Sequence, residues 1–185
     1  MLTDSLKKFL EKNVELLDAN NFKELYRLSE TELYFSQEIG TLTRTLLSAG
    51  INPINHLKWI PYSYLYGDSS ITSINIPDSI EFIDSEAFAD CSALESVTLG
   101  KKVSVIYYGA FEKCSNLTSV KLNEGLLEIG QYAFRGTGVT ELIIPSTVTS
   151  IDVQAFPDII TLFVYPGSYA HEWAITNDYN VGVLY

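Results

Sequence analysis

Apolar residues recur along the middle of the chain with a period of 23 residues that shortens to 22 and then 21, which aligns four segments in register: 71–93, 94–116, 117–138 and 139–159. Each segment begins with an LxxIxI-like spacing, in which alternate residues of a short strand point to one side. Each then carries a second apolar pair and closes on an Ala-Phe pair, at Ala87-Phe88, Ala110-Phe111, Ala133-Phe134 and Ala155-Phe156. Repeats of this length do not bury their apolar faces alone, so the pattern predicts a solenoid of stacked repeats.

The repeat pattern weakens toward both ends, as capping of a solenoid requires. Residues 54–70 match only the second half of a repeat, and residues 160–166 match only the first half. Residues 167–185 leave the pattern and are predicted to form a C-terminal cap. There Ser168 is the expected N-cap of a short helix, followed by a last strand near 181–185.

Residues 1–50, ahead of the repeat domain of 51–166, have apolar positions at helical spacing. Their apolar stripes and capping residues predict three helices, near 3–18, 21–28 and 30–49. A segment this short hardly buries a core of its own, so we expect it to pack on the open N-terminal end of the solenoid. Together with the short strands of the repeats, this all-helical segment predicts the α+β class.

The repeats resemble the BspA-like leucine-rich-repeat family, whose units run approximately as LxxIxIPxSVTxIGxxAFxxCxxL. The resemblance rests on columns that recur in register, such as Ile74, Val97, Val120 and Leu142, and then Ile83, Ile106, Ile129 and Ile151. It implies a leucine-rich-repeat solenoid that recognises proteins and is not an enzyme. Members of the family are mostly surface proteins of bacteria and microbial eukaryotes that bind host proteins, and some occur in phages and mobile elements.

Charge narrows the choice of partner. The net charge is −11 with a pI of about 4.5, and residues 51–185 hold 15 acidic against 6 basic side chains. Duplex nucleic acid and anionic membranes need positive charge facing them, so neither is an expected direct partner. The acidic repeats favour a basic partner protein instead. The oligomeric state stays open.

The first 17 residues are charged from Asp4 onward and lack the apolar core of a secretory signal. No stretch approaches the roughly 20 apolar residues of a membrane span. These features predict a cytoplasmic protein.

Candidate chemistry is sparse in this sequence. Cys91 and Cys114 stand one period apart in the same column, which fits an interior ladder of reduced thiols and leaves a disulfide as the alternative. His171-Glu172 begins HEWAI and lacks the second histidine of a zincin motif. The sequence therefore predicts no catalytic residue, no metal site and no cofactor.

Tyrosine is enriched at protein interfaces because it combines apolar area with a polar tip. Several tyrosines flank the second apolar pair of the repeats, close to acidic residues that would steer a basic partner. The predicted partner contacts are Tyr62, Asp84, Glu86, Tyr107, Tyr108, Glu112, Tyr132 and Asp152.

Two further apolar stripes leave alternatives open. The column before the second inner Ile holds three apolar residues, Trp59, Phe82 and Val105. This stripe is predicted either to dock the N-terminal helices or to form a binding surface. A competing surface follows the outward positions of the first strands, which become apolar toward the C-terminus where Leu162 joins them: Thr98, Lys121, Ile143 and Val164.

The functional prediction is a non-catalytic protein–protein interaction module that binds its partner through the acidic repeat surface. One alternative is a small intracellular inhibitor, for example encoded by a phage, that blocks a basic or nucleic-acid-binding host protein by acidic mimicry. Another is a bacterial surface adhesin whose export signal is not in this sequence.

Overall fold

The computed structural model describes residue 54, residues 59–60 and residues 62–185. The three helices expected within 1–50 lie outside the described residues, and so does the helical segment on which the α+β class depends. The described part is a parallel β-solenoid of about five turns with one short helix. This confirms the leucine-rich-repeat solenoid with short strands.

Each full repeat contributes two short strands, one from each of its apolar patterns. In chain order the strands are β1 (Trp59–Ile60), β2 (Ser73–Asn75), β3 (Phe82–Ile83), β4 (Ser96–Thr98), β5 (Val105–Ile106), β6 (Ser119–Lys121), β7 (Glu128–Ile129), β8 (Glu141–Ile143), β9 (Ser150–Ile151), β10 (Thr161–Val164) and β11 (Asn180–Val183). Even-numbered strands come from the LxxIxI pattern and are called first strands below. The odd-numbered strands β1 to β9 come from the second apolar pair and are called second strands.

The second strands form one continuous parallel sheet in the order β1-β3-β5-β7-β9. Its register follows the sequence columns, with Phe82 paired to Trp59 on one side and to Val105 on the other. The first strands instead divide between two separate sheets, β2-β4-β6 and β8-β10-β11, and the second of these also contains the C-terminal strand β11. The solenoid is therefore unbroken along its second strands and interrupted along its first strands, between β6 and β8.

The register of β10 differs from the prediction. Phe163, and not Val164, pairs with Ile143. Leu162 and Val164 are fully buried, so their expected outward orientation is wrong. The cause is a shorter connection: one residue fewer separates Ile160 from the first inward strand position than in the preceding repeat.

The core is a column of stacked phenylalanines. Successive ring centroids of Phe88, Phe111, Phe134 and Phe156 lie 5.3, 5.4 and 6.2 Å apart, with interplanar angles of 6° to 7°. The preceding alanines of the Ala-Phe pairs are fully buried, since only a small side chain fits between adjacent turns. Removal of one such ring typically destabilises a protein by about 3–5 kcal/mol. The predicted phenylalanine ladder is confirmed.

The end of the chain contains a short helix and a last strand. Ser168 accepts a hydrogen bond of 3.2 Å from an N–H in the first turn of helix α1, Tyr169–Thr176. Trp173 of this helix meets the last ring of the column, Phe156, edge-on at 6.0 Å. Strand β11 then adds in parallel to β10. The helix thereby covers the end of the core that would otherwise be exposed.

The corners after the second strands β1, β3, β5 and β7 use left-handed backbone at two positions four residues apart. The first position is held by Ser63, Glu86, Gly109 and Tyr132, with φ of 49°, 54°, 57° and 60°, and the second by Gly67, Asp90, Lys113 and Gly136, with φ of 69°, 58°, 58° and 72°. The corner keeps its shape although the residue types differ. It places the side chains of the candidate site.

Candidate partner-binding surface

Five tyrosines lie on the corners that follow the second strands, and we call them the tyrosine surface: Tyr62, Tyr66, Tyr107, Tyr108 and Tyr132. The first four expose 45%, 46%, 40% and 40% of their area, and Tyr132 is half-buried. The stacked turns set the corners side by side, because each second strand pairs with the next one residue for one residue. The tyrosines therefore belong to one face of the solenoid.

Part of this face is a chain of contacts between two adjacent turns. The rings of Tyr108 and Tyr132 meet edge-on, with centroids 5.4 Å apart. The guanidinium carbon of Arg135 lies 3.7 Å from the centroid of the Tyr132 ring, in a cation–π contact. Arg135 is bound in turn to the carboxylate of Glu112. These contacts restrict the rotamers of Tyr108 and Tyr132 in the free protein.

Glu112 is not the exposed acidic contact that the sequence analysis predicted. Only 7% of the residue is exposed, and its Oε1 accepts hydrogen bonds from Arg135. The same bond raises the pKa of the Arg135 guanidinium. Glu112 therefore positions the exposed Arg135 against the ring of Tyr132 and is not a free acid at the surface.

Glu86 links the first turn of the surface to the second. The phenol of Tyr62 donates a hydrogen bond of 3.1 Å to Glu86 Oε2. Burial of the phenol, together with this bond, raises the pKa of Tyr62. Glu86 thus orients a predicted contact residue and adds negative charge beside it.

Tyr66 is a surface residue that the sequence analysis missed. It is 46% exposed, and a hydrogen bond to the Asp90 carboxylate raises the pKa of its phenol to about 12. A signal for it existed, because Tyr66 stands in register with Glu112, which was predicted as a contact. The tyrosine surface is therefore larger than expected.

The two aspartates that were predicted as partner contacts are half-buried, and each accepts a hydrogen bond within its own turn. Asp84 Oδ1 accepts from the N–H of Ser85 at 2.7 Å, and Asp152 Oδ1 accepts from the N–H of Gln154 at 3.0 Å. Asp84 lies in the turn next to the one that carries Tyr107 and Tyr108. Asp152 lies in the last turn, next to the turn of Tyr132, whose N–H donates to the carbonyl of Gln154 at 3.2 Å.

An aromatic stripe borders the tyrosine surface on its strand side. Trp59 and Phe82 stack with centroids 5.8 Å apart, and Phe82 meets Tyr107 edge-on at 5.7 Å. The predicted column of Trp59, Phe82 and Val105 is confirmed, and its three members are half-buried. Docking of residues 1–50 on this stripe stays a prediction, because that segment lies outside the described residues.

The competing surface on the first strands also exists. Thr98 is half-buried, Lys121 is exposed and Ile143 exposes 54% of its area. Beside them an open groove of about 780 Å³ is lined by residues of β6, β8 and β10, and Phe163 lies in its wall. The structure thus offers two distinct faces, the tyrosine surface and this groove.

The two cysteines form the interior column that the sequence predicted. Both are free and fully buried. The Cys91 thiol donates to the carbonyl of Leu65 at 3.1 Å, and the Cys114 thiol donates to that of Phe88 at 3.0 Å. The Cys91 side chain, and then burial, raise the pKa of Cys114. A thiolate is therefore disfavoured at this position, which suits a packing role.

Over the described part of the chain, no group of three or more His, Cys, Asp or Glu side chains is placed to hold a metal ion. Within the same residues, no helix has the length and apolarity that crossing a bilayer demands.

Solved structures of other repeat proteins resemble this fold. A T. pallidum leucine-rich-repeat protein is 26% identical, with a TM-score of 0.50, over 53% of this chain and 48% of that chain. A leucine-rich cell surface protein from Faecalibacterium prausnitzii is 21% identical, with a TM-score of 0.54, over 63% of this chain and 33% of that one. This chain thus spans less than half the length of either protein. No curated protein matches the sequence at a significant level.

The sequence profile of the BspA-type leucine-rich-repeat region matches residues 43–162 in six copies. The match begins inside the segment for which helices were predicted. Proteins built from such repeats generally mediate protein interactions and are typically non-catalytic. Because the match covers more than half of the sequence and the stacked turns have the fold it implies, the chain belongs to the BspA-type leucine-rich-repeat family.

Proposed function

We propose that this protein is a non-catalytic interaction module that binds a basic partner protein through its tyrosine surface. The observation that carries the proposal is the set of four tyrosines, each at least 40% exposed, on one face beside acidic side chains. Tyr62 and Tyr66 are each hydrogen-bonded to a carboxylate, Glu86 and Asp90. Rings held in place lose little entropy on binding, which favours affinity.

Charge and apolar area play different parts in this proposal. Acidic groups around the tyrosines raise the association rate of a basic partner, an effect that salt screens. The rings supply desolvated contact area, and aromatic hot spots typically lose at least about 2 kcal/mol of binding free energy on truncation. Tyr108 is the best single target, because it is exposed and packed against Tyr132.

Affinity capture from the native host cells, at physiological salt, tests the proposal with matched baits. Tyr169 is the control, because it is 42% exposed but lies on α1 in the C-terminal cap. We expect wild type and Tyr169→Ala to capture the same protein, and Tyr108→Ala to lose most of it. Equal capture by all three baits would overturn the proposal.

The identity of the captured protein separates the finer alternatives. A basic or nucleic-acid-binding protein from the cytoplasm supports an intracellular inhibitor that acts by acidic mimicry. An extracellular host protein supports an adhesin. Both use the same tyrosine surface, so the Tyr108→Ala comparison applies to either.

A further inference from the structure

The outer face of the first strands changes character along the solenoid. Strand pairing sets the outward side chains of Asn75, Thr98 and Lys121 in one row on β2, β4 and β6. The same column of the repeat continues on β8 and β10 with Ile143 and Phe163, which pair with each other. The row is therefore polar over the first three strands and apolar over the next two.

The groove lies where the row becomes apolar, and it is lined by residues of β6, β8 and β10. β6 and β8 belong to different sheets, yet their Cα atoms still approach within 8 Å of each other. Turns at this spacing leave no room for a strand between them. A ligand of the groove therefore lies on the outer face of the strands.

Side chains of the core reach the floor of the groove. Val120 and Leu122, at the inward positions of this repeat, are half-buried and belong to the lining. Their counterparts in the preceding repeat, Val97 and Leu99, are only 1% and 6% exposed. Apolar area that the preceding turn buries is thus accessible at this place.

The wall on the side of β8 and β10 is apolar. Ile143 exposes 54% of its area there. A Cβ atom on Gly182 of β11 would overlap two carbons of the half-buried Phe163 ring, so the ring occupies the space that a side chain at Gly182 would need. Glycine at this position therefore gives the ring its place in the wall beside Ile143.

The rim of the groove is acidic. Glu124 and Glu141 are exposed and line it, and Lys121 is the one basic side chain among the described lining residues. Residues 51–185 have the same sign of charge, with 15 acidic against 6 basic side chains. A second copy of this chain would bring like charge to the groove, whereas a basic segment brings opposite charge.

We propose that this groove binds a basic segment of a partner protein, which inserts one large apolar side chain flanked by Lys or Arg. The apolar side chain packs on Val120, Ile143 and Phe163 from the outer face of the strands. The flanking cations lie near Glu124 and Glu141, which steer association. The site lies on the first strands, so it does not rest on the function proposed for the tyrosine surface.

A pair of synthetic peptides tests the site on the complete chain. The probe is the blocked peptide Gly-Lys-Phe-Lys-Gly, and its control replaces Phe by Ser, which keeps the charge and removes the apolar anchor. We expect the probe to bind with a dissociation constant of about 1 mM or lower, and the control to bind at least about tenfold more weakly. Equal binding of the two peptides, or no binding of the probe at about 1 mM, would overturn the proposal.

Matched variants locate the peptide. Ser119 and Ser73 are exposed serines in the same outward column, but of the two only Ser119 lines the groove. We expect Ser119→Trp to fill the groove and weaken binding at least about tenfold, and Ser73→Trp to bind as wild type does. Equal weakening by the two variants would show that the peptide is not in the groove.

A second matched pair removes the apolar wall. Ile143 and Ile175 are both 54% exposed, but Ile175 lies on α1, outside the lining of the groove. We expect Ile143→Asp to weaken binding of the probe at least about tenfold, and Ile175→Asp to leave it unchanged. Unchanged binding in Ile143→Asp would contradict the inference.

Amide chemical shifts of the wild type give a readout that needs no variant. The probe should shift the signals of Lys121, Ile143 and Phe163. Shifts confined to Tyr107 and Tyr108 would place the peptide on the tyrosine surface. Shifts of the groove signals that follow protein concentration in the absence of peptide would mean that a second copy occupies the groove. Either result would contradict the inference.

Tyr108→Ala separates this inference from the proposed function. Tyr108 lies outside the lining of the groove, so we expect this variant to bind the probe as wild type does even where it loses the captured partner. Loss of the probe in Tyr108→Ala would contradict the inference. Failure of the groove leaves the proposed function intact, because that proposal depends on capture by Tyr108→Ala.

Discussion

Single residues of the corners adopt a backbone that their side chains disfavour. Among the described residues, those with left-handed φ and a side chain are Ser63, Glu86, Asp90, Lys113, Tyr132 and Asp178. An L-residue in this region costs roughly 1–2 kcal/mol. The next turn holds the corner in place, as Glu86 N–H donates to Tyr108 and Lys113 N–H donates to Arg135, both at 2.8 Å. Inter-turn hydrogen bonds thus fix the direction of the Glu86 and Tyr132 side chains on the tyrosine surface.

Replacement of Lys113 by glycine should stabilise the protein. Lys113 is exposed and its backbone is left-handed, so glycine removes the steric cost of this conformation. Glycine also increases the backbone freedom of the unfolded chain, which offsets part of the gain in stability. We expect a net gain of about 0.5–1 kcal/mol in the free energy of unfolding, measured by denaturant melts.

The control is Lys121→Gly, because Lys121 is equally an exposed lysine but lies in strand β6. Glycine there should destabilise by about 0.5–1 kcal/mol. If the two variants change stability in the same direction, the corner is not strained as described.

The strand elements differ in how well the sequence predicts them. The second strands follow columns that recur at a constant offset, and Phe82, Val105 and their partners pair as the alignment requires. The first strands diverge where connections shorten, before β8 and again within β10. An alignment of columns carries no information on how a shorter connection redirects a strand. The opening between β6 and β8 and the inward turn of Val164 were therefore not predictable.

Amide hydrogen exchange tests the interruption directly. Ile76 N–H and Leu99 N–H donate to the next first strand at 2.8 and 2.9 Å, whereas Leu122 N–H, in the same column, has no partner in β8. We expect Leu122 to exchange at least about tenfold faster than the other two, because an unpaired amide needs no opening step. Comparable protection of all three would show that β6 and β8 are paired.

At the scale of the whole molecule, the second-strand sheet joins five turns of the described chain and the phenylalanine column runs through four of them, while the tyrosine surface and the groove lie on different corners and strands. Repetition made the core and the location of Tyr107 and Tyr108 predictable. The hydrogen-bond partners of the surface side chains were not predictable, because they come from neighbouring turns. Glu112 pairs with Arg135, and Tyr66 pairs with Asp90. Such contacts depend on which columns stand side by side in space.

Binding kinetics with the captured partner test the central claim, recognition through the tyrosine surface, most directly. We predict that Tyr108→Ala raises the dissociation rate with little change in association. Glu86→Gln should slow association at low salt, and high salt should erase the difference, because a rim charge acts mainly by steering. If both variants bind like wild type at either salt concentration while Ile143→Asp abolishes binding, the partner binds the groove and the tyrosine surface is not the site.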